Sequence, residues 1–218
     1  VARVKRTGEE ETQMKLYDSV GPNPRVVKMF IAEKGIDISR HQIDLLAGEN
    51  RKEDYARINP TGTTPALEVD EGIVLAEITA ICEYIEELHP APPLIGETPM
   101  QRAETRMWVR RIDLGILEPM ANGFRFAEGL RMFESRMRCL PEAAAGLKTL
   151  AKEKLAWLND RIEGREWIVG DRFTLADIML YVFLEFGAQV GQPLDPANAN
   201  IAAWMERVKQ RPSVAASA

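Results

Sequence analysis

His89-Pro90-Ala91-Pro92-Pro93-Leu94-Ile95-Gly96-Glu97-Thr98-Pro99, "HPAPPLIGETP", decides how the rest of the chain is read. Proline removes a main-chain donor and its ring collides with the preceding turn, so no helix or central strand runs through a stretch with four prolines. Before it, periodicities of two and of 3.6 alternate. After it, only the helical period remains. The stretch therefore predicts a boundary between a small α/β domain and an all-helical domain.

Working back from the boundary, Glu77 to Leu88 places Ile78, Ile81, Tyr84, Ile85 and Leu88 on one side of a predicted helix. Ala66–Val69 and Ile73–Leu75 flank the turn trio Asp70-Glu71-Gly72, the signature of a hairpin. Glu49 to Arg57 reads as a short charged helix and Ile38 to Leu45 as a strand. Arg25 to Lys34 carries Val26, Val27, Phe30 and Ile31 at one-face helical spacing and is closed by Gly35. Met14 to Tyr17 is a first strand. The order is βαβ, a short helix, then ββα. Residues 1–13 are polar and aperiodic and are expected to be a flexible leader, with the first domain covering 14–92 and a linker 93–99.

Beyond the boundary, helices are predicted for Met100 to about Glu128 with a bend near Pro119, for Pro141 to Ile162, for Leu175 to Phe186 and for Ile201 to Gln210. The helical domain is expected to span 100–218.

Composition narrows the function. The chain has 218 residues, 45% of them hydrophobic, and a net charge of -5 without long single-sign blocks, which gives no footprint for nucleic acid. No apolar run approaches the ~18 residues of a membrane span. The two cysteines, Cys82 and Cys139, form no C-x-x-C pair, and His41 and His89 stand far apart, so no metal set is predicted. Such cysteine usage suits a reducing compartment and predicts a cytoplasmic protein.

Four local patterns carry chemistry. "YDSVGPNPR", Tyr17 to Arg25, contains Asn23 followed by Pro24, the favoured N-cap and N1 pair. "NPTGTTPALE", Asn59 to Glu68, runs a turn into a strand whose first residue is Pro65. A cis Pro65 turns the Thr64 peptide groups sideways toward a peptide-like ligand, whereas a plain turn needs no ligand. In "LAEITAICEYIEE" Glu77 opens a helix, where it either steadies its own first turn or pairs with a ligand ammonium while the N–H groups of Ile78 and Thr79 receive a carboxylate. Thr174 and Asp177 in "FTLADIML" have the spacing of a reciprocal helix cap, a structural device.

In this order and spacing the four patterns resemble the cytosolic glutathione transferase family from Met14 to Pro212, with partial similarity to the bacterial nu class. The resemblance implies a thioredoxin-like α/β domain followed by an all-α bundle, a homodimer, and glutathione bound as co-substrate without a metal. It implies that Pro65 is cis, that the Thr64 backbone pairs with the cysteinyl part of glutathione, and that Glu77 and Ile78 grip the γ-glutamyl end. Ile78 departs from the family's serine, removing a donor whose loss generally costs about 1.5–3 kcal/mol. Asn50, and after it Arg51, match the position that binds the glycyl carboxylate.

The implied reaction is attack of the glutathione sulfur on a small apolar electrophile or on a disulfide, as in detoxification. A free thiol is mostly protonated at neutral pH, so the site must favour the thiolate. The family's usual serine falls on Gly21 here. Asn23 is then the first candidate donor to sulfur, and Ser19 the second. Trp108, Arg111, Ile112 and Gly115 are candidates for the second substrate, placed between the domains, although a packed core face predicts the same spacing. Two alternatives stand beside this reading: a non-catalytic member that binds apolar ligands or a protein, and a glutathione-dependent lyase that cleaves ethers or removes halide.

Overall fold

The computed structural model describes residues 3–4 and 12–218. The leader expectation falls largely outside these residues; of it, β1 (Arg3–Val4) and β2 (Thr12–Gln13) pair antiparallel. Described residues up to Leu94, joined by 212–218, form one compact unit, and Ile95–Arg211 form a second.

The first unit is built on a four-stranded sheet in the order β4-β3-β5-β6. Strand β3 (Lys15–Asp18) lies parallel to β4 (Ser39–Gln42) and antiparallel to β5 (Ala66–Asp70), which pairs antiparallel with β6 (Ile73–Ala76). The parallel β3–β4 pair needs a crossover, and α1 (Pro22–Lys34) supplies it. That helix buries Val26, Val27, Phe30 and Ile31, as their spacing predicts, together with Met29 and Pro24. On the sheet, Tyr17, Ile43, Tyr55 and Ala66 form a buried cluster that seats α2 (Glu53–Ile58).

Helix α3 (Ile78–Leu88) buries Ile81, Cys82 and Ile85, and also Glu86, which no apolar pattern marks. Glu86 is tolerated inside because Lys34 at the end of α1 pairs with it. Lys34 also donates to the Pro92 carbonyl at 2.6 Å, and the Leu94 N–H donates to Glu86 at 3.3 Å. This buried pair fastens the far ends of α1 and α3 to the proline-rich segment.

The second unit is helical, as expected. Its first long helix is interrupted: α4 (Pro99–Ile112) passes through a π-turn at Asp113–Leu117 into α5 (Glu118–Arg125). Pro119 has no N–H to give the Gly115 carbonyl, so the regular ladder must fail there, and the Glu118 N–H reaches back to Asp113 instead. Helices α6 (Leu130–Phe133), α7 (Ala144–Arg161), α8 (Leu175–Gln189) and α9 (Ala199–Lys209) follow.

The capping box at Thr174 and Asp177 is present and does more than cap. The buried Asp177 carboxylate accepts from the N–H groups of Thr174 and Ile168 at 2.9 and 3.0 Å and from Trp204 Nε1 at 2.8 Å. It thereby joins α8, α9 and the Trp167–Arg172 turn.

The end of the chain corrects the expected 100–218 domain. Helix α10 (Pro212–Ala216) belongs to the first unit, where Ser213 Oγ donates to Glu33 on α1 at 2.5 Å. Pro212 ends the helical run of the second unit, and the short helix after it packs on α1.

Candidate glutathione site

The site is built around helix α1 and the two segments that meet its N-terminus. The helix begins earlier than the sequence suggests: Gly21 is the N-cap, with φ 120° and no side-chain cap bond, and Pro22 is the first helical residue. Asn23 is therefore the second helical residue, not the N-cap. The reason lies in Gly21, whose backbone occupies a region that only glycine enters freely. Pro22 and Pro24 have no N–H, and the Arg25 N–H already bonds to the Gly21 carbonyl. The first turn thus offers one free main-chain donor, the Asn23 N–H, beside that residue's half-buried amide. The two Asn23 donors take the place of the several N–H groups that a helix start ordinarily presents to an anion.

Ser19 lies at the end of β3, only 1% exposed. Its N–H donates to Asp18 Oδ1 at 2.8 Å, its hydroxyl donates to the Val20 carbonyl at 3.2 Å, and its oxygen lies 2.5 Å from the Thr64 hydroxyl. Asp18 in turn pairs with Lys28 of α1 at 3.7 Å. Tyr17 points away, its hydroxyl bound to Glu68 at 2.9 Å.

The Thr64–Pro65 bond is cis. The turn before it is tied down group by group. Tyr55 and Asn59 both donate to the Thr63 carbonyl, at 2.7 and 2.8 Å, and Asn50 Nδ2 donates to the Gly62 carbonyl at 2.6 Å. Burial pushes the Tyr55 hydroxyl up to about 12, so it stays a proton donor. After these ties, the Thr64 N–H and C=O have no hydrogen-bond partner among the described residues. Two unpartnered peptide groups at the head of a strand form an edge on which an extended peptide can pair.

Asn50 is buried, and its donor group is used within the fold. The structure gives it the task of holding Gly62. The neighbouring Arg51 is exposed, and its guanidinium lies over the same turn, 3.4 Å from where a β-carbon on Gly62 would stand. Arg51, unlike Asn50, keeps its side chain at the surface beside that turn.

Glu77 precedes α3 with φ 71°, the one non-glycine residue at positive φ among those described. Its side chain is exposed and makes no cap bond, so the N–H groups of Ile78 and Thr79 are open at the helix start. A held positive φ at such a point is backbone strain of the kind found where ligands are clasped. Ile78 itself is half-buried and offers only its main chain.

The candidates for the second substrate separate. Trp108 and Ile112 are buried in the helical unit, with Trp108 packed against Trp157 at 6.0 Å between ring centroids, so they serve the core. Arg111 and Gly115 instead line an open groove of about 430 Å³ with Met107, Arg110, Leu114 and Lys154. The 3.6-residue period put both sets on one broad face, and packing divides it. Arg110 and Lys154 carry no signal in the sequence pattern that would single them out.

Cys82 offers no nucleophile, since burial and the nearby Glu86 and Glu83 push its thiol well up. Among the described residues no group of His, Cys, Asp and Glu side chains is arranged to hold a metal. No helix of the described residues is long and apolar enough to cross a membrane.

Comparison with known proteins gives the family. Family models described as the N-terminal and C-terminal domains of glutathione S-transferase match residues 20–88 and 141–207. The chain belongs to the glutathione S-transferase family. It is 33% identical to glutathione S-transferase 2 of Saccharomyces cerevisiae, over 95% of this chain and 91% of that one. It is also 32% identical to a maleylacetoacetate isomerase of Pseudomonas aeruginosa, over 78% of each. The crystal structure of Gtt2 from Saccharomyces cerevisiae superposes with a TM-score of 0.87 at 31% identity, covering 94% of this chain and all of the other.

Proposed function

We propose that this glutathione transferase holds glutathione along Thr64 and between the starts of α1 and α3, and promotes attack of its sulfur on a small apolar electrophile or a disulfide. The observation that carries the reading is the unpartnered peptide edge of Thr64. It accompanies two helix starts whose N-caps, Gly21 and Glu77, leave their donors open. An extended tripeptide with a carboxylate at each end and an ammonium at one suits those elements. The cysteinyl main chain pairs with Thr64, the γ-glutamyl carboxylate meets the Ile78 and Thr79 N–H groups, and its ammonium meets Glu77. Arg51 takes the glycyl carboxylate.

Asn23 stabilises the thiolate. Its N–H and amide NH2 favour the charged form of sulfur, which lowers the thiol pKa and raises the fraction of nucleophile at neutral pH. No proton need pass through the protein, because the thiol proton leaves to solvent as the thiolate forms. The protein acts as a cytoplasmic homodimer in detoxification.

The test is the thiolate absorbance of glutathione in the complex as a function of pH. A midpoint below that of free glutathione supports the reading, and an unshifted midpoint overturns it.

One observation favours a second reading, a non-catalytic binder. Gly21 at φ 120° leaves no hydroxyl where the family commonly has one, and Ile78 removes another. Calorimetry separates the two, since a non-catalytic protein of this kind shows no glutathione binding at millimolar concentration.

A further inference from the structure

Strands β3 and β5 pair as Lys15 with Glu68, Leu16 with Leu67 and Tyr17 with Ala66, and there the ladder stops. Two steps further along the same register, Ser19 stands opposite Thr64. Main-chain pairing has ended, and the two side chains take over, with Ser19 Oγ and Thr64 Oγ1 2.5 Å apart. Each hydroxyl has one proton. Either hydroxyl can be the donor in the bond between them, and in both arrangements the Ser19 proton has a partner inside the fold, Thr64 Oγ1 or the Val20 carbonyl.

This has two consequences for the site. Ser19 is almost wholly buried and its proton is engaged, so it has no donor to offer a ligand sulfur. Thr64, whose own N–H and C=O are unpartnered and whose successor Pro65 has no N–H, is held from its own position only by its side chain. The bridge therefore sets how the peptide edge stands relative to the Val20–Asn23 turn, which follows Ser19 directly.

We propose that the Ser19–Thr64 hydroxyl bridge is a positioning device. It preorganises the Thr64 edge for the cysteinyl main chain of a tripeptide thiol and keeps that edge in register with Asn23. The inference rests on the glutathione reading above and deepens it, assigning Ser19 to positioning and Thr64 a side-chain role beside its main-chain one. Preorganisation of this kind acts on binding, because an edge that must be ordered by the ligand weakens its affinity. The acidity of the bound thiol, which depends on Asn23, is left unchanged.

The experiment compares wild type, Ser19→Ala, Thr64→Val, Thr64→Ser and the Ser19→Ala/Thr64→Val double variant. Dissociation constants are measured for glutathione and for the tripeptide with 2-aminobutyrate in place of cysteine, and the thiol pKa of bound glutathione is read from thiolate absorbance. Ser19→Ala and Thr64→Val are each expected to weaken both tripeptides by the same factor, about five- to tenfold, the scale of one neutral hydrogen bond. The double variant is expected to match the singles, because one bond is lost only once. Thr64→Ser restores affinity, and the bound thiol pKa stays at its wild-type value throughout.

A raised thiol pKa in Ser19→Ala makes Ser19 a direct donor and overturns the proposal, as do additive losses in the double variant or unchanged affinities in both singles. If Ser19→Ala does not fold, Thr64→Val at a half-exposed position carries the same comparison against Thr64→Ser. A wild-type protein that binds neither tripeptide overturns the functional reading itself, an outcome distinct from normal wild-type binding with unaffected variants.

Discussion

Gly21 and Glu77 stand in the same relation to two different helices: each is the residue before the first helical turn, each has a positive φ, and neither bonds its side chain to the helix it precedes. Among the described helices α4 and α8 close their first turn with a side-chain oxygen, from Thr98 and Thr174. Here α1 and α3 leave theirs open, with φ 120° at Gly21 and 71° at Glu77 holding the chain in the required course.

The relation predicts that restoring the family's hydroxyl by Gly21→Ser fails. Nothing lies within 4 Å of a β-carbon there, so the obstacle is conformational and not steric. A side chain at this φ costs about 1–3 kcal/mol. Denaturant titration is expected to show that loss of stability. Turnover with a model electrophile is expected not to rise, and a Gly21→Ser protein of wild-type stability and higher turnover would contradict the account of the α1 start.

Asn23→Ala is expected to raise the pKa of bound glutathione and to reduce kcat/KM by about tenfold or more, since it removes the side-chain amide and leaves the main-chain N–H of residue 23 as the one free donor of the first turn. Stability should change little, because Asn23 does not cap the helix. Absorbance titration and thermal melting together check this. A large drop in melting temperature with an unmoved thiol pKa would return Asn23 to the role of a cap.

Asn50 and Arg51 are expected to separate cleanly. Asn50→Ala leaves the Gly62 carbonyl without its 2.6 Å partner and should destabilise the protein by about 1–3 kcal/mol. Arg51→Ala should leave stability unchanged and weaken glutathione. Weakening by Asn50→Ala at unchanged stability, with Arg51→Ala silent, would restore the positional ranking of the two.

The division into an α/β unit and a helical unit was legible because it rests on local chemistry: prolines from Pro90 to Pro99, the Asp70-Glu71-Gly72 turn between β5 and β6, and one-face spacing in α1. The Thr174–Asp177 cap was legible for the same reason. What was not legible depends on three-dimensional neighbours. Asn23-Pro24 is an ordinary helix start until Gly21 is seen to turn at φ 120° and begin the helix earlier. Asn50 and Arg51 are indistinguishable by spacing, and only the Gly62 carbonyl decides which faces inward. Trp108 and Arg111 share a helical face in sequence, yet Trp157 claims the first for the core. Pro212 marks the end of a helical run but does not say that α10 packs on α1.

Asp177 gives a prediction in pH. Burial pushes its carboxyl from an ordinary value near 3.8 up to about 6, against the pull of the Ile168 N–H, Trp204 Nε1 and the N–H and hydroxyl of Thr174. The protonated form is accommodated because the Thr174 hydroxyl, 3.2 Å from Oδ2, can turn and accept. Between about pH 4 and 6 the folded state then binds more protons at this site than the unfolded chain does. Linkage makes stability fall as pH rises through that window, and the contribution is flat above it. A rise of this size corresponds to about 3 kcal/mol at most. In Asp177→Asn the amide cannot ionise, so the fall assigned to this site should vanish. The same change sets an NH2 against groups that themselves donate, which lowers stability at every pH by about 1–3 kcal/mol. Denaturant midpoints of both proteins at half-unit steps from pH 4 to 7 check the two effects separately. Parallel curves for wild type and Asp177→Asn would show that the carboxyl titrates at its ordinary value despite its burial.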